Sequence, residues 1–163
     1  MYSVNGGLTK GMVKAVIASV SKGIKSGSGL FADIGQASRL AAALDDVLDT
    51  PVSPELLPPT ENGEIAQITE DRVGPYELHD FFLWHLVFLG KDRKKVQWLA
   101  GQVFERDYSA ETIEKWLEVF CRRFMSQQFK RDCAPGGPQV AENSFSPRGG
   151  WIMPSDAYAD LWK

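Results

Sequence analysis

Ser109-Ala110-Glu111-Thr112-Ile113-Glu114-Lys115-Trp116-Leu117-Glu118-Val119-Phe120-Cys121-Arg122-Arg123-Phe124 sets the fold class of this chain. Ile113, Trp116, Leu117, Phe120 and Phe124 recur at steps of three and four, which places them on one face of an α-helix turned toward a core. Ser109 supplies an N-cap oxygen, and Glu111 puts a carboxylate in the first turn, where the helix dipole favours it. Working outward, the same spacing joins Met12, Val13, Val16, Ile17, Val20 and Ile24, then Leu40, Ala41, Leu44, Val47 and Leu48. It returns in Val96, Leu99, Ala100, Val103 and Phe104, with Asp92 as the cap before them. Pro75 is placed as the first residue of a helix over 76–89 that ends at Gly90. Being apolar nearly all round, that helix is expected to be buried on most faces. Ser155 is expected to cap a last helix holding Tyr158, Leu161 and Trp162. No stretch alternates for more than a few residues, so the chain is predicted to be mainly α, with no strand.

Between these segments the composition changes. Lys25-Ser26-Gly27-Ser28-Gly29 is expected to be a connector, and residues 50–63 carry Pro51, Pro54, Pro58 and Pro59, which cannot all sit inside helices. A short helix over 65–73 is expected to stop at Gly74. Residues 133–154 hold glycine and proline too often for regular structure and are expected to form an irregular loop.

The 163 residues suffice for one domain with a core, and 44% hydrophobic and 24% charged residues favour neither disorder nor a membrane class. The longest apolar run, 81–89, is interrupted by His85 and falls far short of the roughly 20 residues of a spanning helix. No secretory leader opens the chain, and Cys121 and Cys133 are too few for a disulfide framework, so a cytoplasmic protein is expected. The net charge of −3 is unevenly laid out. Residues 45–80 carry ten acids against Arg72 alone, whereas Arg122, Arg123, Lys130, Arg131 and Arg148 face only Asp132 and Glu142. A local positive field in an acidic protein suits a small multiply charged anion better than a nucleic-acid polymer.

Ser126-Gln127-Gln128-Phe129-Lys130-Arg131 is the candidate anion site. If the helix continues past Ser126, Arg123, Gln127 and Lys130 share one face and present two cations and an amide to phosphate or carboxylate. A solvated helix face explains the same spacing. Gly136-Gly137 and Gly149-Gly150 permit close backbone approach to a ligand, or ordinary turns. Ser26-Gly27-Ser28-Gly29 is not followed by the Gly-Lys-Ser/Thr of a phosphate loop. His79 and His85 are six apart, on different sides of a helix, so core or capping roles are expected of them rather than metal binding. Glu70 and Asp71 are a candidate magnesium pair, with a solvated helix end as the plainer reading.

These motifs, with Gly74-Pro75-Tyr76-Glu77-Leu78-His79-Asp80-Phe81, Thr50-Pro51-Val52-Ser53-Pro54-Glu55-Leu56 and Ser146-Pro147-Arg148-Gly149-Gly150-Trp151, resemble the closing half of the synthetase domain of bacterial glutamine-dependent NAD synthetase. The resemblance runs from Tyr2 to Trp162. It implies a helical C-terminal portion of a Rossmann-like α/β domain that adenylates nicotinic acid adenine dinucleotide with ATP and amidates it with ammonia from glutamine. By the same resemblance Lys130, with Phe129 and Arg131, contacts the dinucleotide, and Lys10 and Ser53 lie near ATP. The family usually has proline where this chain has Thr9, and commonly reads Arg-Gly-Asp-Trp where this chain has Gly150. The resemblance further implies ATP and magnesium in the full enzyme, a glutaminase domain as partner and a homo-oligomer. It finds no ATP-cleaving loop in these residues, so a piece inactive by itself, with no cofactor held tightly, is expected. The rival expectation is a free-standing helical module that binds RNA or an acidic protein through the basic cluster.

Overall fold

A computed structural model of the chain describes residues 7–27, 29–31, 33, 35–50, 73–133, 142–146 and 148–162. The described residues are mainly helical and contain no strand. They form two compact units, one of residues 10–72 and one of residues 1–9 with 73–163. The proline-rich loop over 50–63 and the short helix over 65–73 lie outside the described residues apart from Thr50 and Val73.

In the first unit, α1 (Lys10–Ser26) and α2 (Ala37–Asp49) pack side by side. Ile24 and Ala41 are buried, while Met12, Val16, Leu40 and Val47 remain exposed. The pairing also has a polar contact: Asp45 accepts from Ser21 at 2.6 Å and from Lys25 at 2.5 Å. Those two donors hold the Asp45 carboxyl below its ordinary pKa. Lys25 and Ser26, expected in a connector, belong instead to the last turn of α1, and Lys25 is fixed there by its partner on α2.

The second unit holds α3 (Tyr76–Phe82), a wide π turn (Leu83–Phe88), α4 (Arg93–Val103), α5 (Ala110–Ser126) and α6 (Gln128–Asp132). Pro75 stands just outside α3, extended at ψ 133°, rather than as its first residue. The expected single helix over 76–89 changes to π spacing at Leu83, and the Leu89 amide donates to the Trp84 carbonyl five residues back at 3.0 Å. The extra residue per turn rotates the face, so Trp84 and Leu89 are each 47% exposed and the segment is not buried on most sides. Asp92 and Ser109 cap α4 and α5, as expected: Asp92 accepts from the Lys95 amide at 2.9 Å and Ser109 from the Thr112 amide at 3.2 Å.

The expected stripe of α5 meets the core. Ile113, Leu117, Phe120 and Phe124 are buried against Leu78, Phe82, Leu86, Val96 and Ala100, and Trp116 is half-buried beside them. Leu117, wholly enclosed, would cost about 2–5 kcal/mol if cut to alanine. Residues 142–146 and 148–158 are irregular, and aromatic rings hold them to α5 and the π turn. Trp151 lies edge-on to Phe124 at 5.8 Å, and Phe145 stacks on Phe88 at 5.1 Å. The final helix expected after Ser155 is only a short 3-10 turn, Ala159–Trp162, with Tyr158 exposed before it. Trp162 stacks over Phe120 and tilts against Phe124, so ring packing holds this short turn to α5.

Candidate functional site

α5 does not run through the basic cluster. It stops at Ser126, Gln127 takes a non-helical conformation (φ −100°, ψ 17°), and α6 begins afresh at Gln128. Arg123, Gln127 and Lys130 therefore do not share the single continuous helix face that their spacing predicts. The end of α5 leaves the Phe124 carbonyl without an intrahelical partner, and Arg131 supplies one, its Nη2 donating at 2.5 Å.

Arg131 is turned into the protein. Its Nε donates to Gln128 Oε1 at 2.9 Å, and Nη2 adds a second bond to the same oxygen at 2.5 Å. The guanidinium lies 4.1 Å from the Phe124 ring centroid and 3.8 Å from Met153 Sδ. Trp151 Nε1 donates to that same sulfur at 3.0 Å. Gln128 is 1% exposed, and its amide nitrogen donates to Asp132 Oδ1 at 3.0 Å. Burial lowers the guanidinium pKa, with Asp132 acting in the opposite sense. The result is one polar network that ties α6, the end of α5 and the 151–153 segment together.

On the outward side of the same short helix stand Phe129 and Lys130, both exposed. The Lys130 ammonium lies 5.9 Å from the Phe129 ring centroid. A cation beside an exposed aromatic face offers an anion one charged donor and a planar base or pyridine ring one stacking surface. Of the three expected dinucleotide contacts, Phe129 and Lys130 are thus presented to solvent and Arg131 is engaged by its own chain.

The departure at Gly150 has a structural reason. Its amide donates to the Ser146 carbonyl at 2.9 Å, and that of Trp151 to the Ser144 carbonyl at 2.9 Å. A Cβ at position 150 would collide with the Ser144 carbonyl and lie 2.7 Å from Ser146 O. The loop is closed so tightly that only glycine fits. Thr9 is also buried, and its hydroxyl donates to Asp80 at 2.7 Å. A proline there would have no hydroxyl to give.

Lys10, exposed, is the first residue of α1. Ser53, Glu70, Asp71 and Gly136-Gly137 lie outside the described residues. Among the described residues no three or more His, Cys, Asp or Glu side chains come together as a metal site. His79 packs edge-on to Phe120 at 5.5 Å and its Nε2 donates to the Val73 carbonyl. Burial pushes its pKa down, outweighing that hydrogen bond. His85 lies 4.2 Å from the Phe81 ring. Burial raises the Cys121 thiol to about 11, while Cys133 is exposed.

A cleft of about 430 Å³ that no residue pattern signalled lies between α5 and residues 155–160, lined by Arg93, Glu118, Arg122, Ser126 and Tyr158 among others. Arg93 and Glu118 in its lining form an ion pair at 2.7 Å. Lys130 and Phe129 are not in its lining. No described helix is long and apolar enough to cross a membrane.

No protein-family model matches the chain. It is 35% identical to the glutamine-dependent NAD(+) synthetases of Mycobacterium bovis and Mycobacterium tuberculosis, over 179 residues covering 99% of this chain and 25% of each relative. The Mycobacterium leprae protein of that name is 34% identical over the same shares. The chain thus spans about a quarter of the length of the curated relatives it matches. Identity at this level, sustained from end to end of a capped and packed helical chain, makes it similar over its whole length to one quarter of the glutamine-dependent NAD(+) synthetases.

Proposed function

We propose that this chain supplies one wall of the dinucleotide site of a glutamine-dependent NAD(+) synthetase. The observation that carries the reading is the 35% identity over 99% of the chain. In the reaction a carboxylate oxygen of nicotinic acid adenine dinucleotide attacks the α-phosphorus of ATP and pyrophosphate leaves. Ammonia released from glutamine then attacks the acyl carbon and AMP departs, giving NAD. Both steps form and consume anionic groups, which a fixed cation stabilises more as charge builds up.

Lys130 is assigned to an anionic group of the dinucleotide and Phe129 to one of its rings, because both are exposed side by side on α6. Lys10 is assigned to the ATP phosphates and Ser53 to the ATP neighbourhood by resemblance. Magnesium belongs to the reaction as a whole by resemblance; among the described residues no three His, Cys, Asp or Glu side chains come together to hold it. The glutaminase domain and the homo-oligomer are part of the same proposal. So are a cytoplasmic setting and the absence of turnover by these 163 residues alone.

Calorimetric titration of the chain with nicotinic acid adenine dinucleotide tests the reading. Binding is expected, and Lys130→Ala is expected to weaken it about ten- to hundredfold, the worth of one charge-assisted hydrogen bond. No heat with the dinucleotide, or binding of an RNA oligonucleotide that falls steeply with added salt, would overturn it.

A further inference from the structure

We propose that Arg131 is a positioning residue, a clasp that holds α6 so that Phe129 and Lys130 face the dinucleotide, rather than a contact to the ligand itself. The inference rests on the reading of the site given above and adds a role that neither residue pattern nor resemblance assigns.

Three observations carry it. The guanidinium fork is occupied from within: Nε and Nη2 both reach Gln128 Oε1, and Nη2 also reaches the Phe124 carbonyl. Phe124 and Met153 close over it, at 4.1 Å to the ring and 3.8 Å to the sulfur. α6 is only five residues long, too short to be stable by its own hydrogen bonds, so its direction is set by what holds it. Gln128 and Arg131 are separated by one turn on the inner side, and Phe129 and Lys130 occupy the outward positions between them. The inner pair therefore fixes the orientation of the outer pair. The clasp also ends on Met153, which accepts from Trp151, so the segment after Gly150 is registered against the same helix.

Arginine is needed because one planar group makes three bonds in fixed directions. Lysine keeps the charge over Phe124 but cannot bond Gln128 and the Phe124 carbonyl in this forked way. Arg131→Lys and Arg131→Ala are compared with wild type, with Ser109→Ala as a variant that weakens α5 at its far end. The readouts are dinucleotide affinity and amide hydrogen exchange. Arg131→Ala is expected to lower affinity about tenfold, and Arg131→Lys several-fold, whereas Ser109→Ala lowers stability and leaves affinity unchanged. In the Arg131→Lys background, Lys130→Ala is expected to cost less than in wild type, because the two act through one placement. Exchange in residues 128–132 should rise in Arg131→Lys and not in Ser109→Ala.

Equal costs of Lys130→Ala in both backgrounds, or unchanged exchange in α6, would overturn the clasp even if Arg131→Ala proves unable to fold. If wild type binds no dinucleotide while exchange in α6 still rises in Arg131→Lys, the reading of the site falls and Arg131 is left as a fastening of the fold alone.

Discussion

Arg131 holds Phe124 twice: its guanidinium lies 4.1 Å from the ring centroid and its Nη2 donates to the Phe124 carbonyl at 2.5 Å. One side chain thus satisfies a carbonyl left open by the end of α5 and covers the aromatic face beside it. The arrangement stops α5 without glycine at its C-terminus and starts α6 at a new angle. It also accounts for a glutamine, Gln128, at 1% exposure: the buried amide is the bridge between Arg131 and Asp132.

Introducing aspartate at position 150 should damage the loop. Gly150→Asp places a Cβ against the Ser144 carbonyl and 2.7 Å from Ser146 O, and backbone cannot yield as a side-chain tip can. A loss of about 1–3 kcal/mol is expected in urea unfolding. An unchanged midpoint would show that residues 144–151 close differently.

His79 should make stability fall in mild acid. Burial holds its pKa in the folded protein below the value in the unfolded chain, so its contribution is complete above the unfolded pKa, near 6.5. As pH falls from there through the folded pKa, the unfolded chain takes up the proton first and that stability is lost. The stability gap between wild type and His79→Leu, measured by denaturant melts at pH 7.5 and 5.5, should therefore narrow at the lower pH. A gap that widens in acid would mean that the folded protein favours the charged ring.

The two cysteines should differ sharply toward a thiol reagent at pH 8. Cys121 is 2% exposed with its pKa raised to about 11, and the thiolate is the reacting form. One rapid equivalent is expected, from Cys133, and Cys133→Ser should abolish it until denaturant is added. Two rapid equivalents in the native wild type would contradict the burial of Cys121.

Asp92→Ala and Ser109→Ala should each cost about 1 kcal/mol, since each removes the acceptor for one otherwise unpaired amide at a helix start. The two caps serve different helices, so the double variant should lose close to the sum in thermal melts.

The amino-acid order determined the helices and their caps. The spacing in α1, α2, α4 and α5 is a local property, and Asp92 and Ser109 act on amides three residues ahead, so no distant partner is needed to read them. That Phe129 and Lys130 lie in a basic segment was legible from composition alone. What the tertiary structure alone decided are the points where a helix gives up its period. The π turn after Phe82, the break at Gln127, the inward turn of Arg131 and the short turn at Trp162 depend on contacts with residues up to tens of positions away. Helical periodicity reports which side of a segment is apolar. It carries no information on which distant carbonyl, ring or sulfur will compete for a particular side chain, and here that competition set which cation faces outward.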